Sequence, residues 1–346
     1  MQKMKAVAKM QKAKGLEMTE AEVPQIGQND VLVEVKACSL CGTDVHIYNW
    51  DHPWPDRIKP PRTLGHEVCG IVVEKGSNVT AAEVGDFISA ESHIADNTCY
   101  QCRIGNSNIC MNMKLLGVDI NGSFAEYVSV PQQNIWKNPK SMPYEIATLQ
   151  ESMGNSVYTV EESNVNGKNV VIFGAGPTGL FATGISRVLG ASQIMVVVGT
   201  EFHARIAKQM GADIIINRHE QDVVKEIKSA TDGIGADVVL EMSGAGDAID
   251  QSLKSLRQGG QLTLLGLPLR PISIDWSKDI VLKDINIKGI NGRKLWQTWV
   301  TTSRLLHSKR IDITPIITHK LPLEKYEEAI AVAAAGQSGK VVMFPK

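Results

Sequence analysis

Residues 169–179 read NVVIFGAGPTG, an apolar run that leads into three glycines spaced as G-x-G-x-x-G. The run is typical of a buried strand, and Pro177 suits the first turn of a following helix. In this context Gly174 permits a tight turn, Gly176 lets the backbone approach a pyrophosphate, and Gly179 lets the helix pack closely on the strand. The stretch predicts a strand–turn–helix unit that binds a dinucleotide at the helix N-terminus.

The alternation of strands and helices continues on the C-terminal side of this unit. The apolar runs IMVVV, DIIIN, DVVLE and QLTLL alternate with helical patterns near 203–210, 222–229 and 247–257. Strands that are apolar on both faces and separated by helices predict a doubly wound parallel sheet covered on both sides. We place this α/β domain at residues 154–292.

The first 140 residues consist largely of short runs in which apolar and polar residues alternate, as they do in half-buried strands. These runs are VLVEV (31–35), VCGIVVE (68–74), DFISA (86–90) and FAEYVSV (124–130). They predict a mostly β domain over residues 1–153. The segment 293–346 has helical patterns near 295–307 and 324–335, and we expect it to fold back onto the first domain.

Length and charge limit the classes of function. A chain of 346 residues is long enough for two domains, each with its own core. Its 36 Lys and Arg residues nearly balance 37 Asp and Glu residues, which gives no electrostatic reason to expect a nucleic-acid or membrane partner. No apolar stretch is long enough to cross a bilayer, and the N-terminus lacks the apolar core of a signal peptide. We therefore expect a cytoplasmic protein with reduced thiols.

The second strand of the parallel sheet lacks the acidic end that would bind the ribose hydroxyls of NAD. It ends in Val198, which is followed by Gly199. Small residues here leave room for the 2'-phosphate of NADP, and His203 or Arg205 could pair with it. Glu201 would oppose that extra negative charge. The sequence therefore leaves NAD and NADP open.

Two segments contain residues that could bind a metal. The runs CSLCGTDVH (38–46) and GHE (65–67) include Cys41, His66 and Glu67, which could supply the three protein ligands of a catalytic zinc. A thioredoxin-like redox pair is less consistent with this C-x-x-C, because it follows a β-patterned segment rather than opening a βαβ unit.

The run DNTCYQCRIGNSNIC (96–110) has three cysteines, at positions 99, 102 and 110, with the spacing of a metal clip. In a reducing compartment such clusters bind metal more often than they form disulfides. A tetrahedral zinc site needs a fourth ligand, which these cysteines do not supply.

Taken together, these motifs resemble the zinc-dependent medium-chain alcohol dehydrogenase family. The resemblance rests on CGTDVH, GHE, the cysteine-rich segment, GSFAEY (122–127) and GAGPTG, and it covers essentially the whole chain. It is strongest to the branch that oxidises L-threonine, through CGTDVHIYNWD (41–51), LQESMGNSVYT (149–159) and KGINGRKLWQTW (288–299). The resemblance implies a GroES-like catalytic domain made from both chain ends, a Rossmann domain between them, and a homotetramer.

The resemblance also implies roles for individual residues. Cys41, His66 and Glu67 match the ligands of the catalytic zinc, and Glu151 matches a residue that coordinates it in some states. Thr43 and His46 match the proton relay. The positions that match dinucleotide contacts, beyond the glycines and the strand end near Val198 and His203, are Thr178, Leu265, Ile290 and Asn291.

In the cysteine-rich lobe the family pattern is C-x2-C-x2-C-x7-C, and its first position is Asp96 here. The resemblance therefore implies a structural zinc bound by Asp96, Cys99, Cys102 and Cys110. An aspartate oxygen is an accepted zinc ligand. A lobe without metal, in which the thiols stay free, is the alternative.

The implied reaction is the oxidation of L-threonine to 2-amino-3-oxobutyrate, with zinc and with NAD or NADP as cofactors. Two alternatives stay open. Ser152 stands where the family usually has proline, which is compatible with a polyol or sugar dehydrogenase on the same fold. A non-enzymatic relative that only binds the dinucleotide would lack Cys41, His66 or Glu67, and all three are present.

Overall fold

The structure, a computed structural model, describes residues 2–51 and 53–345. In chain order the strands are β1 (Lys3–Lys9), β2 (Glu17–Glu22), β3 (Asp30–Ser39), β4 (Arg62–Thr63), β5 (Glu67–Lys75), β6 (Phe87–Ala90), β7 (His93–Ile94), β8 (Lys114–Leu115), β9 (Tyr127–Pro131), β10 (Ile135–Lys137), β11 (Asn169–Phe173), β12 (Gln193–Val198), β13 (Ile214–Asn217), β14 (Ala236–Glu241), β15 (Leu256–Leu264), β16 (Asn286–Gly289), β17 (Ile317–Pro322) and β18 (Lys340–Phe344).

The helices are α1 (Gly42–Asn49), α2 (Trp54–Arg57), α3 (Tyr100–Arg103), α4 (Tyr144–Ala147), α5 (Gln150–Ser163), α6 (Pro177–Val188), α7 (Glu201–Gln209), α8 (Val223–Ser229), α9 (Gly246–Ser255), α10 (Gln297–His307) and α11 (Tyr326–Ala334). Within the described residues, every helix is too short or too polar to cross a lipid bilayer. The chain divides into two units. The first comprises the described residues up to Ser152 together with those from Ile317 onwards, and the second comprises Met153–Ile316.

The second unit contains a six-stranded sheet in the order β13-β12-β11-β14-β15-β16, and every neighbouring pair is parallel. Numbered within the unit, this order is 3-2-1-4-5-6, the arrangement of a dinucleotide-binding sheet. Residues 170–173 of β11 are all buried, because helices cover both faces of the sheet. The predicted doubly wound domain is therefore confirmed.

The first unit is built around β3, which pairs antiparallel with β5 and β9. Val31, Val33 and Val35 are at most 1% exposed, and they pack in one apolar cluster with residues of β5, β6 and β18. Burying a valine side chain contributes about 1.5–3 kcal/mol, so these three contribute substantially to the stability of the unit. The predicted mostly β domain is confirmed.

Residues from the C-terminal end complete this sheet. The end of β18 pairs with the end of β3, with Val342 opposite Ser39 and Met343 opposite Cys38. Strand β17 then pairs in parallel with β18. The resulting sheet contains strands from both ends of the chain.

The domain boundary predicted at residue 292 requires a correction, because residues 293–316 lie in the second unit. Helix α10 buries Trp299 there, and Thr301 donates a hydrogen bond to Glu161 of α5 at 2.8 Å. Farther along, the side chain of Ile311 lies against Gly184 of α6. The amphipathic pattern near 295–307 predicts this helix, but it does not specify which unit the apolar face of the helix packs against.

Candidate active site

Cys41 lies at the N-cap of α1, where β3 has ended and the chain turns into the helix. Asp44 fixes this turn, because its Oδ2 accepts a hydrogen bond from the Cys41 amide at 3.0 Å. The Asp44 side chain is fully buried, and burial raises its pKa. Its other oxygen, Oδ1, lies 3.7 Å from Nδ1 of His66. Asp44 thereby connects the cysteine to the histidine.

His66 and Glu67 follow a glycine that no other residue could replace without rearrangement. Gly65 has a φ of +89°, and a Cβ there would lie 2.3 Å from the Phe124 ring. The chain then enters β5, whose first residue, Glu67, pairs with Ser39 at the end of β3. The strand pairing therefore brings Glu67 beside the residues that precede Cys41.

The structure brings the three predicted ligands of the catalytic metal together. One ligand atom each of Cys41, His66 and Glu67 lies within 4.8 Å of the other two. A thiolate, an imidazole and a carboxylate form a donor set that suits zinc, with a coordination position left open. These residues therefore fit the metal that the sequence implies.

Glu67 is held by two further side chains in the interior. It accepts hydrogen bonds from the Lys340 ammonium and the Ser39 hydroxyl, and both partners are buried. Burial raises the pKa of Glu67, although the nearby Lys340 charge acts in the opposite direction. Lys340 also donates to the Leu40 carbonyl at 3.2 Å. The orientation of the carboxylate is thus set by β18, which comes from the far end of the chain.

Glu151 lies near these groups but outside the three-residue cluster. Its Oε1 accepts a hydrogen bond from Ser92 at 2.5 Å, and its side chain is buried. Its negative charge contributes to raising the pKa values of Asp44 and Glu67, which places it within electrostatic range of both. Three buried carboxylates and one buried ammonium leave a net negative charge that a divalent cation would balance.

The electrostatics of His66 follow from the same surroundings. Burial acts to lower its pKa, but the negative charges of Asp44 and Cys41 outweigh burial, and the pKa is raised. In the absence of a cation, the imidazole is therefore drawn to the protonated form by its acidic neighbours. A bound metal ion would take the place of that proton.

Thr43 and His46 both lie on α1, three residues apart and hence on one face of the helix. Thr43 is half-buried, whereas the His46 side chain is 40% exposed. Nδ1 of His46 lies 3.2 Å from Oδ2 of Asp51. The face thus leads from a half-buried hydroxyl to an imidazole in contact with solvent.

The cysteine-rich lobe brings its four predicted ligands together. One ligand atom each of Asp96, Cys99, Cys102 and Cys110 lies within 4.8 Å of the others. The Cys99 sulfur is 3.5 Å from that of Cys102 and 3.8 Å from that of Cys110. Oδ1 of Asp96 lies 3.4 Å from the Cys102 sulfur. Around a tetrahedral zinc with normal bond lengths, sulfur atoms lie about 3.8 Å apart and a sulfur–oxygen pair about 3.6 Å apart.

The turn that begins at Asp96 fixes the position of its carboxylate. Oδ1 accepts hydrogen bonds from the amides of Thr98 at 2.9 Å and Cys99 at 3.0 Å, and Asn112 donates to Oδ2. The Asn112 side chain, followed by these amides, lowers the pKa of Asp96 well below its usual range. Asp96 is therefore an anionic oxygen donor at neutral pH, and the lobe fits a zinc ion.

The glycine-rich turn lies between β11 and α6, at the carboxyl edge of the parallel sheet. Gly174 has a φ of +94°, and a Cβ there would lie 2.9 Å from Ser243. A Cβ on Gly179 would lie 1.8 Å from the Gly174 carbonyl oxygen, so helix and strand pack as closely as the motif predicts. In contrast, a Cβ on Gly176 would meet no atom within 4 Å. That open space at the start of α6 fits a dinucleotide pyrophosphate.

The other predicted dinucleotide contacts lie on the same edge of the sheet. Val198 ends β12, Leu265 follows β15, and Ile290 and Asn291 follow β16. The amide of Ile290 donates to the Leu264 carbonyl at 2.9 Å, which fixes the chain as it leaves the sheet. Thr178 in α6 uses its carbonyl to accept a hydrogen bond from Ser156 at 2.8 Å. His203 lies in the first turn of α7, with its amide 3.3 Å from the Thr200 hydroxyl.

Sequence reasoning missed several residues that shape these sites. Asp44, Lys340 and Ser92 hold the candidate metal ligands, and Glu241 accepts hydrogen bonds from the amides of Ser243 at 2.9 Å and the adjacent residue at 3.1 Å. An acid three residues after Cys41 is a capping signal that could have identified Asp44. Lys340 is 273 residues from Glu67, and no local pattern indicates that pairing.

Comparison with known proteins agrees with this geometry. The family described as alcohol dehydrogenase GroES-like domain matches residues 27–140, and the family described as zinc-binding dehydrogenase matches residues 177–308. An L-threonine 3-dehydrogenase from Pyrococcus abyssi is 49% identical over 346 residues, with 100% of this chain and 99% of that protein covered. The L-threonine 3-dehydrogenase of Pyrococcus horikoshii is likewise 49% identical, with the same coverage.

Among solved structures, a zinc-binding dehydrogenase from Sinorhizobium meliloti, bound to NADP, superposes with a TM-score of 0.93 at 29% identity. The match covers 100% of both chains. Both domains, the spacing of their motifs and full-length identity near one half confirm the resemblance stated from the sequence. The chain belongs to the zinc-dependent medium-chain alcohol dehydrogenase family and is a nicotinamide-dependent oxidoreductase.

Proposed function

We propose that this enzyme oxidises L-threonine at its hydroxyl-bearing carbon to 2-amino-3-oxobutyrate. The observation that carries the proposal is the cluster of Cys41, His66 and Glu67 in a chain 49% identical to L-threonine 3-dehydrogenases. The reaction removes one hydride and one proton from the substrate. The oxidised nicotinamide ring takes up the hydride. The protein must therefore orient the alcohol and carry away the proton.

In this proposal Cys41, His66 and Glu67 hold the catalytic zinc, and Asp44 and Lys340 orient two of these ligands. Zinc in such a site acts as a Lewis acid that makes a substrate hydroxyl more acidic. Glu151 is the third buried carboxylate within electrostatic range, after Asp44 and Glu67, and without its hydrogen bond from Ser92 it would be a further oxygen ligand for the zinc. Burial raises the pKa of Glu67, and the buried Lys340 charge opposes that effect and favours the ionised carboxylate, which is the form that binds a metal.

Thr43 and His46 carry the proton in this proposal. The Thr43 hydroxyl accepts a proton from the substrate side and passes its own toward solvent, as a relay requires. His46 lies on the same face of α1, is 40% exposed, and contacts Asp51 at 3.2 Å. Its imidazole releases the proton to water, and Asp51 holds the ring in place for the exchange.

Steady-state kinetics with a substrate panel tests this function. We expect kcat/KM for L-threonine to exceed that for sorbitol, 2,3-butanediol and glucose by at least about 100-fold, a difference of about 2.7 kcal/mol in transition-state binding. Each substrate is assayed with NAD and with NADP. Faster turnover of a polyol or sugar, or no turnover of L-threonine with either cofactor, would remove the proposed substrate.

We further propose that Asp96, Cys99, Cys102 and Cys110 hold a second, structural zinc. The sulfur–sulfur separations of 3.5 and 3.8 Å support this, because they are close to the edges of a zinc tetrahedron. Such a site closes a surface lobe that contains only short helices and turns, where little apolar surface is buried. Metal binding would then contribute to folding of the lobe.

Replacing Cys102 by serine tests the second zinc. We expect the variant to lose about one zinc equivalent per chain and at least about 2 kcal/mol of stability, which corresponds to a Tm lower by about 4–8 °C. Zinc content by elemental analysis and Tm by calorimetry are the measurements. Thr98→Ala, at an exposed position in the same lobe, serves as the control. Unchanged zinc content and Tm in the serine variant would contradict the site.

Self-association into a homotetramer is also proposed, and exposed apolar side chains support it. Strand β16 is an edge of the six-stranded sheet, and Ile287 on it is exposed. Leu267, Trp276 and Leu282 in the same unit are each at least 65% exposed. Several large exposed apolar side chains within one unit would form an interaction surface if association between copies covered them together. We propose a cytoplasmic location as well, because all six cysteines are free thiols in the structure.

A further inference from the structure

The second strand of the parallel sheet ends in an unusual way. β12 ends at Val198, which is buried, and Gly199 follows before Thr200 caps α7. The neighbouring strand β13 ends at Asn217, directly opposite Val198. The next amide, that of Arg218, donates a hydrogen bond to the Val198 carbonyl at 3.0 Å. The backbone of Arg218 is thus fixed beside the end of β12.

The Arg218 side chain turns toward Gly199. A Cβ built on Gly199 would lie 3.1 Å from Nε of Arg218 and 3.4 Å from its Nη2. Arg218 is exposed, and in the described part of the chain no carboxylate lies within salt-bridge distance of its guanidinium. The guanidinium therefore lies beside Gly199, and no carboxylate of the described residues neutralises its positive charge.

The end of the second strand is the position that contacts the adenosine ribose in a dinucleotide-binding sheet. An acidic side chain at the end of the second strand accepts hydrogen bonds from the adenosine ribose of NAD. Here Val198 has no polar atom, Gly199 has no side chain, and the Thr200 hydroxyl is within hydrogen-bond distance of His203. A planar guanidinium instead suits a phosphate, to which it donates two parallel hydrogen bonds.

One nearby acid acts against an additional phosphate. Glu201 is the first residue of α7, and its side chain is exposed to water. Water and salt screen an exposed charge strongly, whereas a guanidinium in direct contact with the phosphate is not separated from it by solvent. We therefore expect a direct contact of Arg218 with the phosphate to outweigh the solvent-screened charge of Glu201.

We propose that this enzyme selects NADP over NAD, and that the Arg218 guanidinium, which lies against Gly199, binds the 2'-phosphate. Thr200 and His203 lie at the start of α7 and supply further donors to the same phosphate. The inference rests on the proposed function only in that it uses the dinucleotide site of the same enzyme. It adds the choice of cofactor and the residue that makes that choice.

Direct binding measurements test the inference without turnover. Titration of the full-length protein with NADPH and NADH, followed by calorimetry, should show at least about 10-fold tighter binding of NADPH. Arg218→Ala should weaken NADPH binding about 10- to 100-fold, the loss expected for a charged hydrogen-bonded pair, and change NADH binding by no more than about twofold. Adenosine 2',5'-bisphosphate should compete with NADPH better than AMP does in the wild-type protein alone.

Two further variants sharpen the test. Gly199→Asp places a carboxylate against Arg218, so it should weaken NADPH binding and leave NADH as the preferred ligand. Arg304→Ala removes the same charge from an exposed position on α10 and should change neither affinity. Equal binding of both dinucleotides by the wild type, or equal losses for both in Arg218→Ala, would overturn the inference.

Failure of the inference and failure of the proposed function are distinguishable. Selective, Arg218-dependent binding of NADPH without any oxidation of L-threonine would leave the cofactor inference standing and remove the substrate. Oxidation of L-threonine with NAD preferred would leave the substrate standing and overturn the cofactor inference.

Discussion

Replacing His66 by alanine is expected to lower kcat for L-threonine by at least about 1000-fold and to remove about one zinc equivalent per chain. His66 supplies the only imidazole of the Cys41–His66–Glu67 cluster in the described residues. Without it, two anionic ligands remain beside the buried Lys340 ammonium, which already balances Glu67. Loss of the Lewis acid removes several kcal/mol of transition-state stabilisation, which corresponds to this decrease in rate.

The control is His307→Ala, a substitution of the same kind at an exposed position at the end of α10. It should retain wild-type kcat and zinc content. Thermal unfolding of both variants shows whether a loss of activity reflects unfolding. A His66→Ala enzyme that is folded, lacks one zinc and still turns over L-threonine at the wild-type rate would contradict the assignment.

Replacing Gly176 by valine is expected to weaken binding of the nicotinamide dinucleotide by at least about 100-fold while Tm changes by only a few degrees. A Cβ at this position meets no protein atom within 4 Å, so the folded chain accommodates the side chain. The space it fills adjoins the first amides of α6, which would bind the pyrophosphate of the dinucleotide. A bulky group there keeps the phosphates from those amides, at a loss of about 2.7 kcal/mol or more.

Gly179→Ala provides the opposite control. Its Cβ would lie 1.8 Å from the Gly174 carbonyl oxygen, so helix and strand must move apart and stability should fall. Calorimetric Tm and dinucleotide affinity, measured on both variants, separate the two effects. If Gly176→Val bound the dinucleotide as tightly as the wild type, the pyrophosphate site would have to lie elsewhere.

The fold was predictable where local patterns carry the information. The NVVIFGAGPTG stretch specifies a strand, a turn with a positive φ at Gly174, and a helix that begins at Pro177, and all three are present. The spacing of Cys99, Cys102 and Cys110 likewise encodes a local lobe, because those residues are close in sequence. In these stretches the physical constraint and the sequence pattern involve the same few residues.

Other features depend on pairings that no local pattern reveals. Lys340 reaches Glu67 because β18 pairs with β3, and Arg218 reaches Gly199 because β13 pairs with β12. His203 and Arg205 are the partners for a 2'-phosphate that the sequence suggests, because both are close to Val198 along the chain. Strand order, rather than sequence distance, determines which cation lies beside the end of a strand.

The placement of α10 was also beyond the sequence pattern. Its apolar positions predict a buried face, but either unit could have supplied the surface. The hydrogen bond from Thr301 of α10 to Glu161 assigns the helix to the second unit, and the contact of Ile311 with Gly184 assigns the segment that follows it. Contacts between elements far apart in the chain determined this boundary.

In our proposal, threonine oxidation depends on one zinc ion held by Cys41, His66 and Glu67. Crystals grown from a fully active preparation, with anomalous data recorded on both sides of the zinc absorption edge, test it most directly. We expect a zinc peak bounded by these three side chains, and activity that falls with zinc occupancy as a chelator is titrated. Full turnover of L-threonine by a preparation in which no metal lies among the three residues would contradict it.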